Sequence, residues 1–399
     1  MSHHHRRFHH DVPVELTREI LSRLPVKPLV RFLCVSKSWC ALIKASGFMK
    51  MQLKHSIENN RDRTNIMIAN SDPHNTYWFF VRFPNDEEDH KTIKIHNPTL
   101  LGSHTKGINL VDCSDGLVCV HDDERKEIAI WNPLIRRCKR LPNKAIEKPF
   151  RSAEYDKPKF GFGYDPHNDD YKVMRLVEFF EGNKPVLDFE VNIYSLKSHS
   201  WKKIEGKWPE TFRVDFNSKC SNGAFHWLTY PNYGLNLPQS LIAFDLGTEK
   251  FRVFTIPVQT SSHYWVRLEV LGGHLCFVET DMNFRSNVWT MKEYGEPSSW
   301  THIYEIEKPC TFDRYYKHLT FSNDSKKLVL EEALKELLQE VLEAVISRVF
   351  QDEKDMVRDW LDLILKTTLI SNKTATCIGS LLLLEGDNVA VEEEVKIGV

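Results

Sequence analysis

Between Arg63 and Glu331 the sequence repeats a unit, and a chain built this way has few folds open to it. Short runs rich in Val, Ile, Tyr, Phe and Trp alternate with Gly and Asn/Asp turns, the composition of antiparallel strands rather than of amphipathic helices. One copy reads Ser114-Asp-Gly-Leu-Val-Cys-Val, Ile128-Ala-Ile-Trp-Asn-Pro and Cys138-Lys-Arg-Leu-Pro. The next runs from Phe160-Gly-Phe-Gly-Tyr-Asp through Tyr171-Lys-Val-Met-Arg-Leu and Val191-Asn-Ile-Tyr to Ser200-Trp-Lys-Lys. Asn222-Gly-Ala-Phe-His-Trp-Leu opens a third copy and Gly273-His-Leu-Cys-Phe-Val a fourth, while Thr64-Asn-Ile-Met-Ile-Ala and Tyr77-Trp-Phe-Phe supply an earlier one. The aromatic anchors Trp131, Tyr194, Phe244 and Trp289 stand 63, 50 and 45 residues apart, which suits one four-stranded blade per copy with an insertion in the first gap. A lone blade cannot bury both faces, so the copies must stack into a curved or circular array.

Few chemistries fit the rest of the chain. With 53 basic against 55 acidic residues the net charge is -2, which argues against a nucleic-acid binder. The Leu381–Leu384 run is far too short to cross a bilayer, and Met1–His10 has no apolar core of a secretory leader. The 9 cysteines form no CxxC and no metal-ligand spacing, the pattern of reduced thiols in the cytoplasm, with the nucleus as a second compartment. Cys119 and Cys276 alternate with apolar neighbours and read as small buried residues. No phosphate loop, nucleophile elbow or metalloprotease motif occurs, so neither catalytic residue, cofactor nor metal site is expected. The glycines of Phe160-Gly-Phe-Gly-Tyr alternate with rings, as in a strand where backbone and aromatics pack closely. Asp122-Asp-Glu124 and Asp86–Asp89 read as solvated loops.

The N-terminus follows another period. Leu16, Ile20, Leu21 and Leu24 recur on one helical side, with Asp11 and Pro13 at the start and Pro25 as a stop. A second helix fits Lys27–Leu33, with Pro28 tolerated in its first turn. Ser36 caps a third helix that carries Trp39, Leu42 and Ile43 and ends at Gly47. Three short helices have little interior, so this much apolar surface implies a face reserved for another polypeptide.

The order Val12-Pro-Val-Glu-Leu, Leu24-Pro-Val-Lys-Pro-Leu-Val-Arg-Phe and Val35-Ser-Lys-Ser-Trp resembles an F-box, over residues 9–52. The resemblance implies docking onto a Skp-type adaptor and, through it, a cullin. By position, Pro13, Leu16, Ile20, Leu21, Leu24 and Pro25 would meet the adaptor, with Leu24 and Pro25 as first anchors. Leu29, Phe32, Val35 and Trp39 would mostly hold the helices together. Val12 stands where the family usually has Leu, a lost methylene worth about 1 kcal/mol at most. Residues 60–330, with Phe160-Gly-Phe-Gly-Tyr-Asp-Pro and Tyr171-Lys-Val-Met-Arg, are similar to the F-box-associated domain of plants, itself kelch-like. Within that group the texture resembles the S-locus and S-haplotype-specific F-box proteins, which implies an S-locus ribonuclease as target.

The expected fold is α+β and multidomain: a His/Arg-rich tail (1–8), a three-helix F-box (9–52), an all-β propeller (60–330) and an acidic helical tail (331–399). The tail departs from the family, which continues with strands; it carries 15 acidic and 7 basic residues. It is either an added helical segment or the mark of a propeller left with an open sheet edge. The resemblance implies a non-catalytic ubiquitin-ligase subunit that holds a protein substrate near a conjugating enzyme, without nucleic acid or membrane as partner. The competing reading is a sugar- or ligand-binding propeller, with Trp227, Tyr230 and Tyr233 as stacking rings.

Overall fold

The computed structural model describes residues 12–59, 63–72, 75–82, 91–95, 108–155, 157–182, 188–205, 213–215, 218–231, 240–257, 265–281, 285–306, 319–321, 328–330, 373–378, 381–382 and 389–391. It opens with four helices: α1 (Val14–Ser22), α2 (Val26–Phe32), α3 (Lys37–Lys44) and α4 (Ser46–Asn59). Pro13 starts α1 by offering its carbonyl to the Thr17 amide at 3.0 Å. Pro25 does more than stop a helix: extended itself, it is the N-cap of α2. Ser36 Oγ accepts from the Trp39 amide, as its capping role requires. Gly47 does not end α3. The break falls at Ala45, whose backbone is extended, and Gly47 lies in the first turn of α4.

Antiparallel sheets follow, and four of them stack in chain order as blades. The first comprises Ile108–Ser114, Leu117–Asp122, Glu127–Asn132 and Arg137–Arg140. In the second, Glu154–Tyr155 and Lys159–Asp165 lie against Asp170–Phe180, followed by Asp188–Ser195 and Ser200–Lys203. The third sets Arg213–Val214 and Lys219–Ser221 against Ala224–Tyr230, then Ser240–Asp245 and Lys250–Phe254. The fourth is Trp265–Leu271, His274–Thr280, Ser286–Met291 and Trp300–Ile306. An earlier sheet holds Arg63–Asp72, Asn75–Arg82 and Lys91–Ile95, and Leu319–Phe321 pairs with Leu328–Leu330.

The predicted anchors occupy equivalent places. Trp131, Tyr194, Phe244 and Trp289 all lie on the last strand but one of their blades in chain order, opposite Val118, Val173, Phe225 and Phe277. Turn chemistry repeats too. Asp115-Gly116, Asn222-Gly223 and Gly272-Gly273 each take positive φ at both residues, the twist that two-residue hairpins demand. At strand ends an Asx side chain caps the turn that follows: Asp122 accepts from the Glu124 and Arg125 amides, Asn132 from Leu134 and Ile135, Asp165 from His167 and Asn168. Asp122 is therefore buried structure rather than part of a solvated carboxylate loop, and Asp123 beside it pairs with Lys157 at 2.6 Å. The Asp86–Asp89 stretch lies outside the described residues.

The Phe160-Gly-Phe-Gly motif is the wedge between blades. Phe160 and Phe162 pack with Leu117, Cys119 and Ile128 of the first blade. Gly161 and Gly163 turn the opposite way, where an added Cβ would meet the Phe225 ring at 3.1 Å and Cys220 Sγ at 2.1 Å. Beside them Lys172 binds Asp165 at 2.7 Å and donates to the Leu246 carbonyl of the third blade, while Arg175 binds Glu190 at 2.7 Å. Burial alone would raise the Asp165 carboxyl, but Lys172 and Asn168 hold it below the usual range. The Cys119 and Cys276 thiols are buried as expected, and burial pushes the Cys276 pKa up to about 11.

His226 joins the third blade to the turn after the fourth blade's third strand. Its Nδ1 lies 3.1 Å from the Lys219 carbonyl and must donate there, so Nε2 accepts from the Tyr294 hydroxyl at 2.9 Å. Burial lowers its pKa to about 4, so on acidification the unfolded chain takes up this proton first. Its contribution is complete above the ordinary histidine pKa and is lost as pH falls toward 4, about 3 kcal/mol in all. Urea unfolding at neutral pH and near pH 4 should show a steeper loss in the parent than in His226→Gln; parallel pH dependence would remove His226 from the acid response.

Candidate functional site

The helical module presents two kinds of apolar residue. Leu21, Val26, Leu29, Ile43 and Phe48 are buried together, with Leu24, Phe32 and Trp39 half-buried against them. Phe32 and Trp39 meet edge to face, ring centres 5.4 Å apart. Leu16 and Ile20, one helical turn apart on α1, stay 55% and 58% exposed, flanked in sequence by exposed Val12, Pro13 and Val14. The proposed adaptor set therefore divides. Pro13, Leu16, Ile20 and Pro25 are open to a partner; Leu21, 3% exposed, belongs to the interior, and Leu24 lies between. Val35 also differs from expectation. It sits after α2 and is 59% exposed, so it holds no helices together.

Part of the module's surplus apolar surface is covered by its own chain. Leu381 enters the same buried cluster, and Leu134 and Ile135, from the turn between the first blade's third and fourth strands, pack against it. Asn132 Nδ2 donates to the Leu382 carbonyl at 3.1 Å, and Lys50 pairs with Asp169 on a turn of the second blade. The C-terminal stretch then returns to the sheets: Lys373–Ile378 pairs with Arg63–Asp72, and Val389–Val391 pairs with the outer strand Arg137–Arg140. These described stretches correct the expectation of a wholly helical tail over 331–399; the helix expected from Glu331 to Ile370 lies outside the described residues. The edge left by Arg137–Arg140 is thereby covered.

The sequence does not point to Leu381, Leu134, Ile135 or Asn132 for this role. No local pattern could do so, because Asn132 and Leu382 are 250 residues apart. Leu381→Ala should loosen the module by about 2–5 kcal/mol. Amide exchange should then quicken across 14–59 while the strand Ser286–Met291 stays protected; equal exchange in both proteins would show that Leu381 does not hold the helices. The stacking-ring reading loses Trp227, which is fully buried beside Phe225 and Phe244; Tyr230 is half-buried and Tyr233 lies outside the described residues.

Comparison with known proteins agrees with this two-part geometry. The F-box domain model matches residues 10–51 and the F-box associated beta propeller domain model matches residues 64–356. F-box protein CPR1 of Arabidopsis thaliana is 28% identical over 342 residues, 80% of this chain and 79% of its own. An F-box/kelch-repeat protein of the same plant is 30% identical over 308 residues, 74% of this chain and 80% of its own. Among solved structures, oligopeptidase B from Trypanosoma brucei overlaps 68% of this chain and 46% of its own at TM-score 0.29 and 9% identity, too slight a likeness to carry argument. Helices in front and stacked sheets behind are thus both matched, and the chain belongs to the plant F-box proteins that carry an F-box-associated β-propeller domain.

Proposed function

We propose that this chain is the substrate-recognition subunit of a Skp–cullin–F-box ubiquitin ligase. F-box proteins are in general non-catalytic subunits, and here the α1 surface gripping the Skp-type adaptor would be Leu16 and Ile20 with Pro13 and Pro25 at its margins. One observation carries the reading: α1 keeps the large aliphatic side chains Leu16 and Ile20 in water although the apolar cluster beneath them is already closed by Leu381, Leu134 and Ile135. The anchored module also supplies what the function needs, since a target held on the propeller would sit at a defined distance from the adaptor. Its lysines would meet a charged conjugating enzyme at raised effective concentration, with no chemistry from this chain.

Co-expression with a plant Skp-type adaptor tests the proposal. The adaptor should elute with the chain on size exclusion, and separate peaks would refute the reading. The finer assignment, to the S-locus group with an S-locus ribonuclease as target, is supported by the texture of the strand repeats; direct binding of that ribonuclease to the purified chain tests it. The proposed compartment is the cytoplasm, with the nucleus second, on the strength of free thiols throughout the described residues.

A further inference from the structure

Successive turns of an antiparallel blade fall at alternate ends. In the first blade the turn around Leu134 and Ile135 meets the helical module, so the turn at 123–126 and the chain leaving Arg140 lie at the opposite end. There, between the first and second blades, is a groove of about 860 Å³, the scale of a short peptide rather than a folded domain.

Its lining is cationic. Arg125, Lys126, Arg140, Lys144, Lys148 and Lys157 outnumber the lining carboxylates Asp123 and Glu127, which are engaged by Lys157 at 2.6 Å and Arg140 at 3.3 Å, while Arg125 pairs with Asp122 at 4.0 Å and Lys144 with Glu147 at 3.5 Å. Lys126, exposed at a turn tip, and Lys148 make no ion pair among the described residues. Arg175 lines the floor with its guanidinium 5.8 Å from the Trp201 ring; its Nε is buried and has no hydrogen-bond acceptor among the described residues. Phe160 and Tyr155 add apolar surface, Lys148 lying 5.7 Å from the Tyr155 ring centre. Cations over an aromatic floor suit an extended segment that carries carboxylates and an occasional large apolar side chain.

We propose that this groove, on the face turned away from the F-box, binds an acidic peptide segment of the target protein. The inference rests on the substrate-receptor reading and names the chemistry of its target. Carboxylates pair with Lys126 and Lys148, and an apolar side chain lies against Phe160 and Tyr155.

Fluorescence anisotropy on the purified full chain tests this with three labelled probes: a Glu/Asp-rich peptide containing Phe, a Lys-rich counterpart, and single-stranded oligo-dT. The acidic peptide should bind tightest and weaken as salt rises. Lys126→Glu/Lys148→Glu, at exposed positions that leave folding intact, should cut its affinity by about tenfold or more. Lys250→Glu/Lys292→Glu, the same charge change on other blades, should leave it within about twofold. Equal binding of the Lys-rich peptide, tighter binding of oligo-dT, or undiminished binding by the groove variant would overturn the proposal. Adaptor capture by the same preparation is read separately: its loss with acidic-peptide binding intact sinks the ligase reading and leaves the groove standing.

Discussion

Leu16→Asp/Ile20→Asp should abolish adaptor capture, by about a thousandfold, while the chain melts like its parent. The magnitude follows if each residue is a buried anchor in the complex worth about 2 kcal/mol, since about 4 kcal/mol is close to three decades of affinity. The unchanged melt follows because both side chains are already in water, so a carboxylate there gains no desolvation cost in the free chain. That separation is why these two positions test the interface better than Leu24. Leu24→Asp would also put a charge against the cluster of Leu21, Leu29 and Phe48, and lost capture would then conflate unfolding with lost contact. Surface plasmon resonance against an immobilised Skp-type adaptor, with circular dichroism melts alongside, decides it. Parent-like affinity in the double variant would move the adaptor contact off α1.

Gly163→Ala should be the most damaging single methyl group in the propeller. The new Cβ would lie 2.1 Å from Cys220 Sγ and 2.7 Å from its Cβ, and both strands are held by their own ladders, Gly163 opposite Lys172 and Cys220 opposite Phe225. Overpacking a tight core costs about 1–3 kcal/mol, and this contact belongs at or above the upper end. Compensation is the sharper check. Cys220→Gly removes both clashing atoms, so the double variant should recover most of the loss, whereas Cys220→Ala leaves the Cβ contact and should recover part of it. Additive losses in urea unfolding would mean that the two blades are not packed as described.

Much of this was written in short stretches of the chain. Pro13 and Ser36 act within a few residues, so two helix starts could be read from them, whereas Pro25 was legible as the stop of α1 and not as the N-cap of α2. Asp115-Gly116 and Asn222-Gly223 specify hairpins by their own φ preference. The alternation of rings with Gly161 and Gly163 announced close packing on one strand face. What could not be read was which surface covers which. A helical stripe shows that Leu16, Ile20 and Leu21 are near one another, yet Leu21 is buried and the other two are not, because α4 and the C-terminal stretch approach from one side only. Val35 failed for the same reason, and so did Trp227, whose loop-like neighbours in sequence lie beside a fully buried strand position.

The amino-acid order alone determined that there would be a helical module followed by stacked sheets, and where the hairpins and aromatic anchors would fall, because those choices depend on φ/ψ preference and side-chain period within about ten residues. Only the tertiary structure decided that Leu381 seals the helices, that Val389–Val391 covers the edge of the first blade, and that the cations of the 123–126 turn and the 140–148 loop share one groove. Those contacts join segments far apart in the chain. They are selected by the shape and polarity of surfaces that exist only once the blades have stacked.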